Sequence, residues 1–260
     1  MHLYLNLFGL AIPSYGLLIA AGVLLANVIA VFVLKKASLS FNDLLILEAY
    51  CFLGAFLGAK LVYLAVSFRE IDWGSIRDFA SLNRLMQGGF VFYGGLIGGL
   101  LAAFAAGRLH KIRTMEYLRA IAFLIPFGHG IGRIGCYMAG CCYGIPYDGP
   151  GAVIFPEGSF AIPGVKLFPV QLVEAALLMA ISLLIFALQR KRNWRYTVET
   201  YLAAYGVVRF VLEFFRYDEA RGGVGGLSTS QWISILLIAA VAVFAIVQKA
   251  RPKPAAPDGT

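Results

Sequence analysis

The chain has 260 residues, of which 60% are hydrophobic and 14% charged, with a formal net charge of +8 and a pI near 9.4. Soluble domains hold about 45–50% apolar and about 25% charged residues, so the composition argues against a soluble fold and for lipid as the solvent. The basic residues lie in short clusters between apolar runs, not in a stripe with interleaved aromatics, which argues against a nucleic-acid surface.

A membrane-spanning helix needs roughly 20 mostly apolar residues. Seven stretches read as spans: 15–34, 45–67, 88–106, 120–139, 170–188, 200–215 and 231–247. The expected fold class is therefore an all-α membrane protein of about seven transmembrane helices, one polytopic domain over residues 1–248. The sixth stretch is short and carries charge. The first lacks a positive leading region and a small-x-small cleavage site, so it is expected to be a retained span. The connections at 68–87 and 143–169 are long, and the second is rich in proline and glycine. Residues 249–260 (KARPKPAAPDGT) are expected to form a polar, disordered tail.

Basic residues set the orientation. Lys35, Lys36, Arg108, Lys111, Arg113, Arg190, Lys191, Arg192, Arg195, Lys249, Arg251 and Lys253 fall in one alternating set of connections, and Arg69, Arg77, Arg84, Lys166, Arg216 and Arg221 in the other. The richer set is expected to be cytoplasmic, with the N-terminus outside and the C-terminus inside.

The third span opens with GGFVFYGGLIGG, in which Gly94 and Gly95 allow close approach of a neighbouring helix or a lipid headgroup. Tyr93 within it offers a phenol as donor, acid or base. The fourth span contains GHGIGRIGCYMAGCCYG. An arginine at mid-helix costs about 2.5–3.5 kcal/mol on insertion scales and marks function by default. His129, Arg133 and Cys136 share one helical face. Gly128, Gly132, Gly135 and Ala139 form an adjacent small-residue stripe where another helix is expected to pack. Pairing of Arg133 with a carboxylate is the bland alternative. The sixth span places Tyr201, Tyr205, Arg209 and Glu213 four apart, with Glu213 able to neutralise Arg209. Two arginines on different spans suggest an anion between them, since guanidinium binds phosphate bidentately. The expected anion is a phospholipid headgroup in a shared cavity.

Cys136, Cys141 and Cys142 leave several readings open. His129 and these thiols match no usual zinc spacing, and no metal or other cofactor is expected. A disulfide from Cys136 to Cys141 or Cys142, a thiol activated by His129 or Arg133, and plain packing all remain. Cys51 is expected to be packing.

Taken in order, SYG at 14–16, FLGAFLGAKLVY at 52–63, GGFVFYGGLIGG, LIPFGHGIGRIG leading to YG at 143–144, FPVQLVE at 168–174 and YGVVRFVLEFFR resemble the prolipoprotein diacylglyceryl transferase family. The resemblance implies transfer of a diacylglyceryl group from phosphatidylglycerol to the thiol of a lipoprotein signal-peptide cysteine, in the bacterial cytoplasmic (inner) membrane. It implies partners among phosphatidylglycerol, prolipoprotein signal peptides and membrane lipids. It places Tyr15, Arg133, Gly144, Tyr205, Arg209 and Glu213 on family functional positions. Tyr93 stands where the family carries a histidine base, Cys136 where it carries asparagine and Cys141 where it carries glutamate. The expected base is Tyr93, close to Arg133, with His129 or Cys136 as alternatives. The departures also leave open another acceptor, or a phospholipid-binding protein without catalysis.

Overall fold

The computed structural model describes residues 3–7, 9–75, 77–192, 194–217 and 223–250. In chain order the elements are β1 (Tyr4–Leu7), β2 (Leu10–Pro13), α1 (Ser14–Lys36), α2 (Phe41–Val66), α3 (Phe79–Gln87), α4 (Phe92–Leu109), α5 (Thr114–Ile121), α6 (Leu124–Ala139), β3 (Val153–Ile154), β4 (Lys166–Leu167), α7 (Val170–Arg192), α8 (Thr197–Leu212), β5 (Gly223–Val224), β6 (Leu227–Ser228) and α9 (Thr229–Ala250). Most of the chain is helical. The three antiparallel hairpins β1–β2, β3–β4 and β5–β6 were not anticipated by the all-α expectation.

Among the described residues, five helices are long and apolar enough to cross a membrane: Ser14–Lys36, Phe41–Val66, Phe92–Leu109, Val170–Lys191 and Thr229–Ala250. Their outer faces remain apolar and exposed, as at Leu24, Phe32, Leu183, Leu236 and Ile246, which suits a lipid solvent. The other two expected spans correspond to α6 and α8, of 16 residues each. At 1.5 Å per residue such a helix spans about 24 Å, short of the roughly 30 Å hydrocarbon core.

Two expected boundaries move for local reasons. The third stretch turns helical only at Phe92, because Gly88 is extended and Gly89 is left-handed at φ 68°. The fourth is split between α5 and α6. Pro126 has no N–H to give the carbonyl of Ala122, so a continuous helix fails there. The Ala122 carbonyl accepts from the Ile125 N–H instead (3.4 Å), and the adjacent Phe123 carbonyl accepts from Ser182 Oγ on α7 (2.7 Å). α9 runs to Ala250 and so takes in the first residues of the expected tail; the remainder, 251–260, lies outside the described residues.

The chain divides into two compact units, Val31–Ala120 and the pair Met1–Ala30 with Ile121–Thr260. In the first, α2 and α4 meet through glycines. A Cβ on Gly58 would lie 2.3 Å from the carbonyl oxygen of Gly94, and one on Gly98 2.4 Å from that of Gly54. The backbones touch, as small-residue spacing allows. Lys60 of α2 is buried and donates to the carbonyls of Leu85 and Gly88, with its ammonium 4.9 Å from the Tyr63 ring centre. In the second unit α7 packs against both α6 and α8, and α8 packs against α9. Residues 143–169 carry their own apolar cluster of Phe155, Ala161 and Leu167 beneath Tyr137 and Tyr143.

Candidate functional site

The second unit gathers its charges on facing helices. Arg133 lies in α6, and its Nη2 is 3.0 Å from Glu174 Oε1 on α7. The same oxygen accepts from the Tyr205 hydroxyl on α8 (3.2 Å). One turn further along α8, Arg209 Nη2 lies 2.7 Å from Glu213 Oε2 and donates to Ser230 Oγ of α9 (3.0 Å). Glu213 Oε1 accepts from Ser228 Oγ (2.9 Å). Two polar groups result: Arg133, Glu174 and Tyr205 join α6, α7 and α8, while Arg209, Glu213, Ser228 and Ser230 join the end of α8 to the start of α9.

Both arginines have the carboxylate partners that a purely structural role would require. The pairing does not exhaust them, because guanidinium has five N–H groups in a planar fork. Among the described residues, Arg133 Nε and Arg209 Nη1 are buried without a hydrogen-bond acceptor. A buried donor left unpaired costs about 1–3 kcal/mol, and an anion carrying oxygens would satisfy both. Gly132, next to Arg133, has open space where a Cβ would stand.

The remaining sequence candidates fall as follows. Tyr15, at the start of α1, sets its ring against Gly135 of α6, where a Cβ would meet it at 3.2 Å. Tyr205 bridges to Glu174 as described. His129 Nδ1 lies 3.3 Å from the Tyr201 hydroxyl, and its ring meets Tyr205 edge-on. Gly144 is a close backbone approach: a Cβ there would lie 2.4 Å from the Phe168 carbonyl oxygen and 2.8 Å from that of Phe215. Gly94 and Gly95 face α2, and Tyr93, half-exposed beside Phe92, belongs to the first unit with them. Of the expected stripe of Gly128, Gly132, Gly135 and Ala139, Gly135 meets a neighbouring helix, α1, with its Cβ position 3.4 Å from the Tyr15 carbonyl oxygen and 3.6 Å from Leu18 Cβ, while Gly128 and Gly132 open on space. α6 also approaches α7 through Gly130, outside the stripe, whose Cβ would lie 3.3 Å from the Ala175 carbonyl oxygen.

Cys136 is buried at the last turn of α6, and Cys141 and Cys142 are half-buried just beyond it. Outside the helices, hydrogen bonds from the Cys136 and Cys141 thiols, followed by the charges of Arg216 and Arg133, hold the Cys142 thiol well below the usual range. The same thiol contacts push Cys141 up.

Sequence reasoning missed Glu174 and its neighbour Gln171. Both are 1% exposed, and Gln171 Nε2 donates to the Cys141 carbonyl (2.9 Å). The signal was present: an ionisable residue inside an apolar span is functional by default, and Glu174 closes the FPVQLVE motif. Lys60 was missed for the same reason.

Apolar helices around a hydrogen-bonded cluster of arginine, carboxylate and tyrosine define a helical membrane protein with paired charges in its interior. Comparison with known proteins narrows that class. The family model described as prolipoprotein diacylglyceryl transferase matches residues 2–247, and the chain belongs to that family. A phosphatidylglycerol–prolipoprotein diacylglyceryl transferase of Clostridium tetani is 33% identical over 235 residues, covering 90% of this chain and 92% of the relative. Similar proteins so named occur in Clostridium perfringens, at 32% identity over 90% of each chain, and in Pasteurella multocida, at 34% identity over 92% of this chain and 89% of the relative.

Proposed function

We propose that the protein transfers a diacylglyceryl group from phosphatidylglycerol to the cysteine thiol of a prolipoprotein signal peptide, releasing glycerol phosphate. A carbon–sulfur bond forms at the glyceryl carbon as its bond to the phosphate oxygen breaks, and the thiol proton passes to a base. The observation that carries this, beside family membership, is the pair of buried guanidiniums on α6 and α8, each with an unpartnered donor. Arg133 and Arg209 hold the phosphate and stabilise the charge that develops on the departing oxygen. Glu174 and Glu213 fix the two forks, and Tyr15 and Tyr205 position the lipid. Tyr93 is the proposed base, with His129 and Cys136 as alternatives. Seven helices cross the bacterial inner membrane, with the N-terminus outside, the C-terminus cytoplasmic and the site toward the outer leaflet.

Purified protein incubated with labelled phosphatidylglycerol and a peptide bearing a lipoprotein signal cysteine is expected to release glycerol phosphate and to add the diacylglyceryl mass to the peptide. Phosphatidylglycerol binding without either product overturns the enzymatic reading. The thiols at 136 and 141 favour one second reading, a transferase of the same lipid group to another acceptor. Glycerol phosphate released with a different thiol, but not with the signal peptide, supports it.

A further inference from the structure

Cys136, Cys141 and Cys142 look unpromising as a set in the sequence, because two lie side by side and the third is five residues away. The backbone brings them together. α6 ends at Gly140 in the left-handed conformation (φ 73°), and Cys142 is left-handed as well (φ 58°). The chain doubles back, and the Cys141 N–H donates to the Cys136 carbonyl (3.1 Å). All three sulfur atoms then lie within 4.8 Å of one another. A residue with a β-carbon seldom adopts this conformation, and asparagine and aspartate are the usual exceptions. Cys142 adopts it where Gly140 has already ended the helix, so helix termination does not account for it.

A disulfide fits this arrangement poorly. Bridged residues have Cα atoms about 4.4–6.8 Å apart, whereas neighbours such as Cys141 and Cys142 are held near 3.8 Å. A bridge must therefore use Cys136, and the third thiol would then lie against the disulfide, where exchange scrambles it. Convergence of three sulfurs is instead what a metal requires. A thiolate–zinc bond of about 2.3 Å places three sulfurs roughly 4 Å apart, within an ångström of the separations present. His129 is not part of the set, since it lies two helical turns before Cys136 and contacts Tyr201.

We propose that Cys136, Cys141 and Cys142 bind one thiophilic d10 cation, Zn2+ or Cu+, through three thiolates. Sulfur donors select such ions over magnesium or calcium. Three thiolates around either ion leave net negative charge, and the guanidiniums of Arg133 and Arg216 lie within electrostatic range of Cys142 to offset it. The bound ion ties the end of α6, three residues beyond Arg133, to the start of the 143–169 connection. The inference excludes Cys136 as the base of the proposed lipid chemistry and otherwise stands apart from it, and its test does not read activity.

Full-length protein in detergent with a non-thiol reductant is dialysed against Zn2+ and, separately, against Cu+. Bound metal and intact mass are then measured. One ion per chain is expected for at least one of the two metals. It is retained in Cys51→Ser and weakened at least about tenfold in Cys136→Ser and Cys142→Ser. Alkylation is expected to reach at most one thiol in the metal-loaded protein and the clustered thiols only after the metal is chelated. Failure of the wild type to bind either ion overturns the proposal without reference to any variant. So does an ion kept by the cysteine variants, or a mass two hydrogens short that shows a disulfide surviving the reductant.

Discussion

Arg133 and Arg209 each satisfy two descriptions at once. Their carboxylate partners make them structural, and their leftover N–H groups make them receptive to an anion. Substitution by lysine separates the roles, because an ammonium keeps the charge but loses the fork. Arg133→Lys and Arg209→Lys are each expected to lower transfer at least about tenfold, the equivalent of one charge-assisted hydrogen bond, in the glycerol phosphate assay. Unchanged rates would show that the spare donors do not meet substrate. Glu174→Gln removes the countercharge of a buried pair. A loss of about 3–5 kcal/mol is expected on that account, read as a lowered thermal midpoint in detergent. Tyr93→Phe is expected to abolish transfer while lipid still binds, and Tyr93→His to retain it. If His129→Ala or Cys136→Ser is severe instead, the base lies there.

Among the elements, α2 and α4 depend on four glycines whose absent side chains let the two backbones touch. Gly58→Val puts a branched side chain where a carbonyl oxygen lies 2.3 Å from the Cβ position. Overpacking of this kind costs about 1–3 kcal/mol or more, so the variant is expected to melt earlier or to fail to accumulate, whereas Gly16→Ala, with open space around it, is neutral. Lys60 ties the end of α3 to the entry of α4 through carbonyls and two aromatic faces. Its replacement by methionine keeps the length and loses the donors. The expected result is faster proteolysis within residues 79–92 and a melting loss of about 1.5–3 kcal/mol.

For the molecule as a whole, the decisive measurement is topology. α6 and α8 are each too short to cross a bilayer of ordinary thickness unaided. Counting them as spans rests on the alternation of basic connections. Reporter fusions at Lys111 and Lys166 are expected on opposite sides, with the first cytoplasmic. Finding both on one side removes the seven-span topology and the outward site with it.

Composition and the length of the apolar runs were enough to establish a helical membrane protein and to locate its long helices, because a lipid solvent demands runs of that kind. The ordered motifs were enough to identify the family. Which residues touch was decided by tertiary structure. Periodicity fixes a residue's face on its own helix but not the partner facing it, so the Arg133–Glu174 pair and the contact through Gly130 were invisible, and only Gly135 of the glycine stripe met the expected neighbouring helix. The break at Pro126 was legible, because proline lacks the N–H a continuous helix needs, whereas the left-handed turn that gathers three thiols depends on backbone angles that cysteine does not announce in sequence.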